Sequence, residues 1–110
     1  MATMSVQASA QRREARFRIA ADGLVTDTQT GRQLNAKVNN ISRSGCYVIT
    51  PDPFIQWTLV RIWVVYRCQQ FEAFGAVVHC QGGRGMGVEF EKIAPRDLDL
   101  LEAWLRELPV

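Results

Sequence analysis

The sequence predicts a mainly β domain, a six-stranded antiparallel barrel with a C-terminal α-helix. Three observations carry that prediction. Residues 17 to 91 divide into six short stretches of strand-like character separated by turn residues. Beyond Pro95 the apolar period lengthens from two to between three and four. The chain has 110 residues, one domain's worth, and so small a sheet disposes of bare edges by closing on itself.

The elements follow in order. Residues 1–11 lack a basic leader and a continuous apolar centre, so they are expected to be a flexible tail and no secretory signal, with the domain running over 12–110. Strands are expected at Phe17–Asp27, Gln33–Ile41, Cys46–Thr50, Thr58–Arg67, Gln70–Cys80 and Met86–Glu91. In the second, Leu34, Ala36 and Val38 alternate with Gln33, Asn35, Lys37 and Asn39, which reads as half buried. In the fourth, Val60, Ile62, Val64 and Tyr66 share one face and Arg61, Trp63, Val65 and Arg67 the other. Thr28 to Gly31 closes the first hairpin, and Pro51-Asp52-Pro53 ends the third strand because proline brings no ladder donor.

Leu98, Leu101, Leu105 and Leu108 form one stripe of a helix over 96–108, with Pro95 at its start and Pro109 beyond its end. Asp97 and Asp99 suit the positive end of its dipole. Trp57, Trp63 and Trp104 are expected in the core and under the helix.

Composition narrows the function. Hydrophobic residues at 47% and charged residues at 22% exclude a disordered chain. The longest apolar run, Ile62 to Tyr66, falls far short of the roughly 18 residues of a membrane span, so a cytoplasmic location without membrane insertion is expected. Cys46, Cys68 and Cys80 are odd in number, scattered and set in apolar surroundings, as reduced core thiols would be. His79 is the only histidine, and His79 and Cys80, adjacent on a strand, face opposite ways, so neither a metal site nor catalytic residues are expected and no enzyme is read here. In Gly82 to Gly87 the phosphate-loop spacing fails at Val88 and a strand follows, so a hairpin turn is expected. The net charge of +2, with only two lysines, gives no general basic face, and neither DNA nor RNA is expected as a partner.

The charge is nonetheless uneven. Arg12, Arg13, Arg16 and Arg18 stand against Glu14 alone, a local excess of +3 just where the fold begins. Two short segments then stand out. Arg12-x-x-x-Arg16 precedes the first strand, and Asn40-x-Ser42-x-x-Gly45 joins the second to the third. Arginines at a barrel mouth chelate phosphate oxygens or meet the O6/N7 edge of guanine bidentately. Asn40 and Ser42, two apart on extended chain, share a face, and a glycine lets a flat ring approach the backbone. The plain alternative for the second segment is a connecting turn whose glycine has positive φ.

With these two motifs, and Gly85-Met86-Gly87-Val88-Glu89-Phe90 near the end, the sequence resembles a PilZ domain, the bacterial receptor module for cyclic di-GMP, over residues 12 to about 108. The resemblance implies a six-stranded barrel with a C-terminal helix, no catalysis, and cyclic di-GMP as ligand without a cofactor. It implies that Arg12 and Arg16 bind phosphates and guanines, that Asn40 and Ser42 hold the base and that Gly45 gives it room, with Arg13 an adjacent helper outside the motif register. It leaves the ligand number at one or an intercalated pair, and it implies relay to an effector protein controlling motility, exopolysaccharide or biofilm formation through closure of the N-terminal arm. The rival from another class is a PilZ-like protein–protein docking module that binds no nucleotide.

Overall fold

Each strand and the helix form within one residue of the boundaries that the periodicity sets: β1 Phe17–Asp27, β2 Gln33–Ile41, β3 Gly45–Ile49, β4 Leu59–Tyr66, β5 Gln69–Gln81, β6 Gly85–Lys92 and α1 Pro95–Glu107. The computed structural model describes residues 14–109. Arg12, Arg13 and the expected tail lie outside the described residues.

The strands close in the order β1-β2-β3-β6-β5-β4, every pairing antiparallel, with β4 returning to β1. Alternation sends Val60, Ile62 and Val64 of β4 and Met86, Val88 and Phe90 of β6 into the barrel, where they are buried. In the first hairpin turn, the backbone N–H groups of Gln29 and Thr30 donate to Asp27. The Gln29 bond is the main reason that the Asp27 carboxyl titrates below its ordinary value.

The helix seals one end of the barrel. Leu101 and Trp104 are its buried positions and Leu108, just past its end, is buried too, so its apolar stripe runs through Trp104, while Leu98 and Leu105 stand half buried at its margins. Trp104 packs edge-on against Tyr66, with centroids 5.4 Å apart, and its indole N–H donates to Gln69. Asp97, in the first helical turn, accepts the backbone N–H of Glu72 at 3.0 Å, so its carboxylate fastens α1 to β5 as well as facing the dipole. Asp99 lies past that turn.

Two expectations need correction. Only Cys46 is a core thiol; Cys68 and Cys80 are exposed. Cys68 occupies the two-residue turn between β4 and β5, and Cys80 follows a bulge at Val77/His79, so apolar neighbours in sequence did not imply burial. Trp57 is 66% exposed in the connection between β3 and β4, and Trp63 lies on the outside of β4 under the Arg61 guanidinium, 4.2 Å from its ring centroid. Of the three tryptophans, Trp104 alone docks the helix into the core.

The β4–β5 turn places Arg67 at φ 52° and Cys68 at φ 63°, both in the left-handed region that a two-residue primed turn demands and that glycine or asparagine fills most easily. Cys68→Gly is expected to raise stability by about 1 kcal/mol and Tm by about 5 °C in thermal unfolding. Trp104→Ala is expected to lower stability by about 3–5 kcal/mol in denaturant titration, because it empties the helix seat.

Candidate functional site

Glu14 to Arg16 run into β1 as a short arm lying against the barrel wall. Arg16 donates from Nη1 to Asn40 Oδ1 at 3.1 Å, a contact spanning 24 residues of sequence. Two bulges set it up. One in β1, between Arg18 and Ala21, and one in β2, between Val38 and Asn40, each add a residue on one strand. Such insertions break the strict alternation and re-aim side chains, here around Asn40.

The turn after β2 meets the same arm. Ser42 is buried; its hydroxyl lies 3.2 Å from Glu14 Oε1 and accepts the backbone N–H of Ser44. The hydroxyl of Ser44 also donates to Glu14. The arm is thus fastened at two points, Arg16 on Asn40 and Glu14 on Ser42 and Ser44. Asn40 and Ser42, expected to share a face, both reach it.

Between the arm and the outer faces of β3 and β6 runs a groove of about 420 Å³, a volume in the range of small-molecule sites. Glu14 and Arg16 wall it on the arm side, Gly45 and Cys46 come from β3, Gly87 and Glu89 from β6, and Val78 from β5. Burial pushes the Cys46 thiol up to about 12, with Arg16 opposing in the other direction, so it stays protonated near neutral pH. His79 is exposed, opposite Gly87, and among the described residues no group of three or more His, Cys, Asp or Glu side chains is placed to hold a metal ion.

Gly45 has a structural reason besides the room expected for a base. Its φ is not positive; the glycines with positive φ are Gly31 and Gly83. A Cβ at Gly45 would stand 2.4 Å from the Val88 carbonyl oxygen, so the close approach of β6 demands glycine there. Gly83, at φ 76°, makes the expected hairpin turn between β5 and β6.

The structure therefore brings Arg16 and Gly45 onto one groove, with Asn40 and Ser42 holding the arm beside it. Arg12 and Arg13 lie outside the described residues. Sequence reasoning missed Glu14, Val78, Gly87 and Glu89. Glu14 was in view inside Arg-x-x-x-Arg, and period two in β6 turns Gly87 and Glu89 outward while Met86, Val88 and Phe90 turn in. Nothing in the sequence pairs that face with the arm.

The family model described as PilZ domain matches residues 10–107. Among curated proteins none matches the chain. Solved structures share the fold, among them the following three. The Bacillus subtilis inhibitor of motility MotI/DgrA gives a TM-score of 0.66 at 18% identity, over 88% of this chain and 52% of that one. Escherichia coli YcgR in complex with c-di-GMP gives 0.72 at 13% identity, over 87% of this chain and 45% of that one. The PilZ domain of the same YcgR, with c-di-GMP, gives 0.73 at 13% identity, over 89% and 91%. The chain thus spans about half the length of the first two. A family model matching nearly the whole chain agrees with a closed six-stranded barrel, its terminal helix and the order of the motif residues, and the chain belongs to the PilZ domain family.

Proposed function

We propose that the chain is a receptor for cyclic di-GMP, held in the groove between the arm and the outer faces of β3 and β6. The observation that carries this reading is that Arg16 and Gly45 line one groove while Asn40 and Ser42, from the same motif turn, hold the arm that walls it. Solved relatives of the same fold that hold c-di-GMP support it. Arg16 spends one of its five N–H donors on Asn40, which leaves the others for phosphate oxygens or a guanine O6/N7 edge. Arg12 takes the same role one motif step earlier, with Arg13 as helper, and Asn40 and Ser42 steady the base side of the ligand. No bond is made or broken in this function.

The relay to an effector protein runs through the arm. The arm also forms one wall of a second hollow, of about 390 Å³, whose far side is α1, with Phe17 and Leu105 inside it. Arg43, within the Asn40–Gly45 motif, pairs with Glu102 of α1 at 2.9 Å. Ligand that draws on Arg16 and the motif turn therefore disturbs the surface beside α1, where a partner reads it. The process served is motility, exopolysaccharide or biofilm control, a reading supported by the relative described as an inhibitor of motility.

Titration with cyclic di-GMP by isothermal calorimetry is expected to show saturable binding, weakened at least tenfold by Arg16→Ala, the loss of one charge-assisted contact of about 1.5–3 kcal/mol. Ser42→Ala is expected to weaken binding and lower stability by about 1 kcal/mol, since it removes the hydroxyl that anchors the turn. No heat at two temperatures from a folded wild-type chain would turn the assignment to the nucleotide-independent docking module. In backbone NMR, ligand is expected to shift the amides of Arg16, Phe17 and residues 102–106 together; shifts confined to the groove would remove the relay.

A further inference from the structure

The groove carries one feature that no motif accounts for. Glu89 projects outward from β6 into it, exposed, and among the described residues it has no ion pair or side-chain hydrogen bond. A carboxylate in a site for a dianion is a liability unless something answers it. Beside Glu89 the sheet carries no side chain on the β3 side or one step back along β6. Gly45 lies directly opposite on β3, and Gly87 is two residues back on the same face of β6.

The two glycines have different causes. Gly45 is forced by the Val88 carbonyl. Gly87 is not forced, since its φ is not positive and a Cβ would sit 3.4 Å from His79 Cβ, at the edge of ordinary contact. A side chain at Gly87 would project into the groove. Its lack leaves a floor of backbone on which a flat ring can lie, with Arg16 on the arm side and Glu89 at the β6 side.

Guanine is the base with one edge for each. Its O6 and N7 are acceptors that suit a guanidinium, whereas its N1–H and N2 amino group are adjacent donors that suit a carboxylate, two bonds to two oxygens. Adenine offers an acceptor at N1 in place of that donor pair and would leave the carboxylate repelled and unsatisfied. Hypoxanthine keeps N1–H but lacks the N2 amino group.

We infer that Glu89 is the specificity-determining residue of the groove: its carboxylate accepts the N1–H and N2–H donors of guanine lying on Gly45 and Gly87. The inference rests on the receptor reading above and names the base that the site selects. The test is calorimetric titration of the wild-type chain, Glu89→Ala and Glu89→Gln with cyclic di-GMP, cyclic di-IMP and cyclic di-AMP, with thermal melts to show that each is folded. Wild type is expected to prefer cyclic di-GMP over cyclic di-IMP by about tenfold and over cyclic di-AMP by more. Glu89→Ala is expected to lose at least tenfold for cyclic di-GMP while leaving cyclic di-AMP unchanged or tighter, and Glu89→Gln to fall between. Gly87→Leu, which fills the floor, is expected to weaken all three ligands alike. An unchanged preference in Glu89→Ala, or equal tightening of all three ligands, overturns the role of Glu89 and leaves the receptor standing. A wild-type chain that binds none of them overturns both.

Discussion

The constraint on which this barrel depends is the close passage of β6 between its two neighbours. A Cβ at Gly45 would lie 2.4 Å from the Val88 carbonyl oxygen, one at Gly75 would lie 2.0 Å from that of Glu89, and one at Gly85 would lie 2.3 Å from that of Val48. Real Cβ atoms do not stand so close to backbone oxygen, so these positions admit glycine alone without strand displacement. Six strands close a ring only by strong coiling, and these contacts mark where the coiling brings backbones together. The same crowding flattens the outer wall beside Glu89. The motif glycine is thus a closure residue first, and its openness to a ligand is a consequence of that closure.

The arm is held far less tightly than the barrel. Its described polar contacts are hydrogen bonds from Arg16 and to Glu14 near the surface, each worth on the order of 1 kcal/mol net. The core beneath keeps Val25, Ile62, Val64, Phe71 and Leu101 fully out of water, which amounts to roughly 1.5–3 kcal/mol for each large side chain. A ligand that makes two or three charge-assisted contacts matches in kind and number what holds the arm and falls far short of what holds the sheet. On the proposed receptor reading, energy of that size competes for the arm and leaves the barrel as the fixed reference.

Much of this was legible in the sequence, for a local reason. Strand alternation, the helical stripe and the turn residues are patterns a few residues long, so every element boundary falls within one residue of its expected place. The Asn40–Gly45 motif is legible because it folds on itself as a single turn, with Ser42 and Gly45 already bonded. The misplaced residues fail where a local pattern meets a global fact. Cys68 is apolar in company but falls in a turn, Cys80 lies past a bulge that shifts the register, and Trp57 belongs to a connection whose path the barrel order sets. The groove is the extreme case. It draws on the arm, β3, β5 and β6, and the β3–β6 pairing joins residues some 40 apart, so Glu14 and Glu89 acquire their shared neighbourhood only on closure.

The charges of that neighbourhood bear on what so basic a start to the chain can hold. Arg16 by itself would attract any phosphate, and attraction of that kind is undirected and screened over roughly 8 Å at physiological salt. Glu14 and Glu89 line the same groove and offset the field. A free phosphate or a polyphosphate, with acceptors alone, meets guanidinium on one side and carboxylate on the other. A ligand that carries hydrogen-bond donors as well as phosphates has an answer for both. On the proposed reading the carboxylates exchange long-range pull for directional pairing, which is the exchange that turns a charged groove into a selective one.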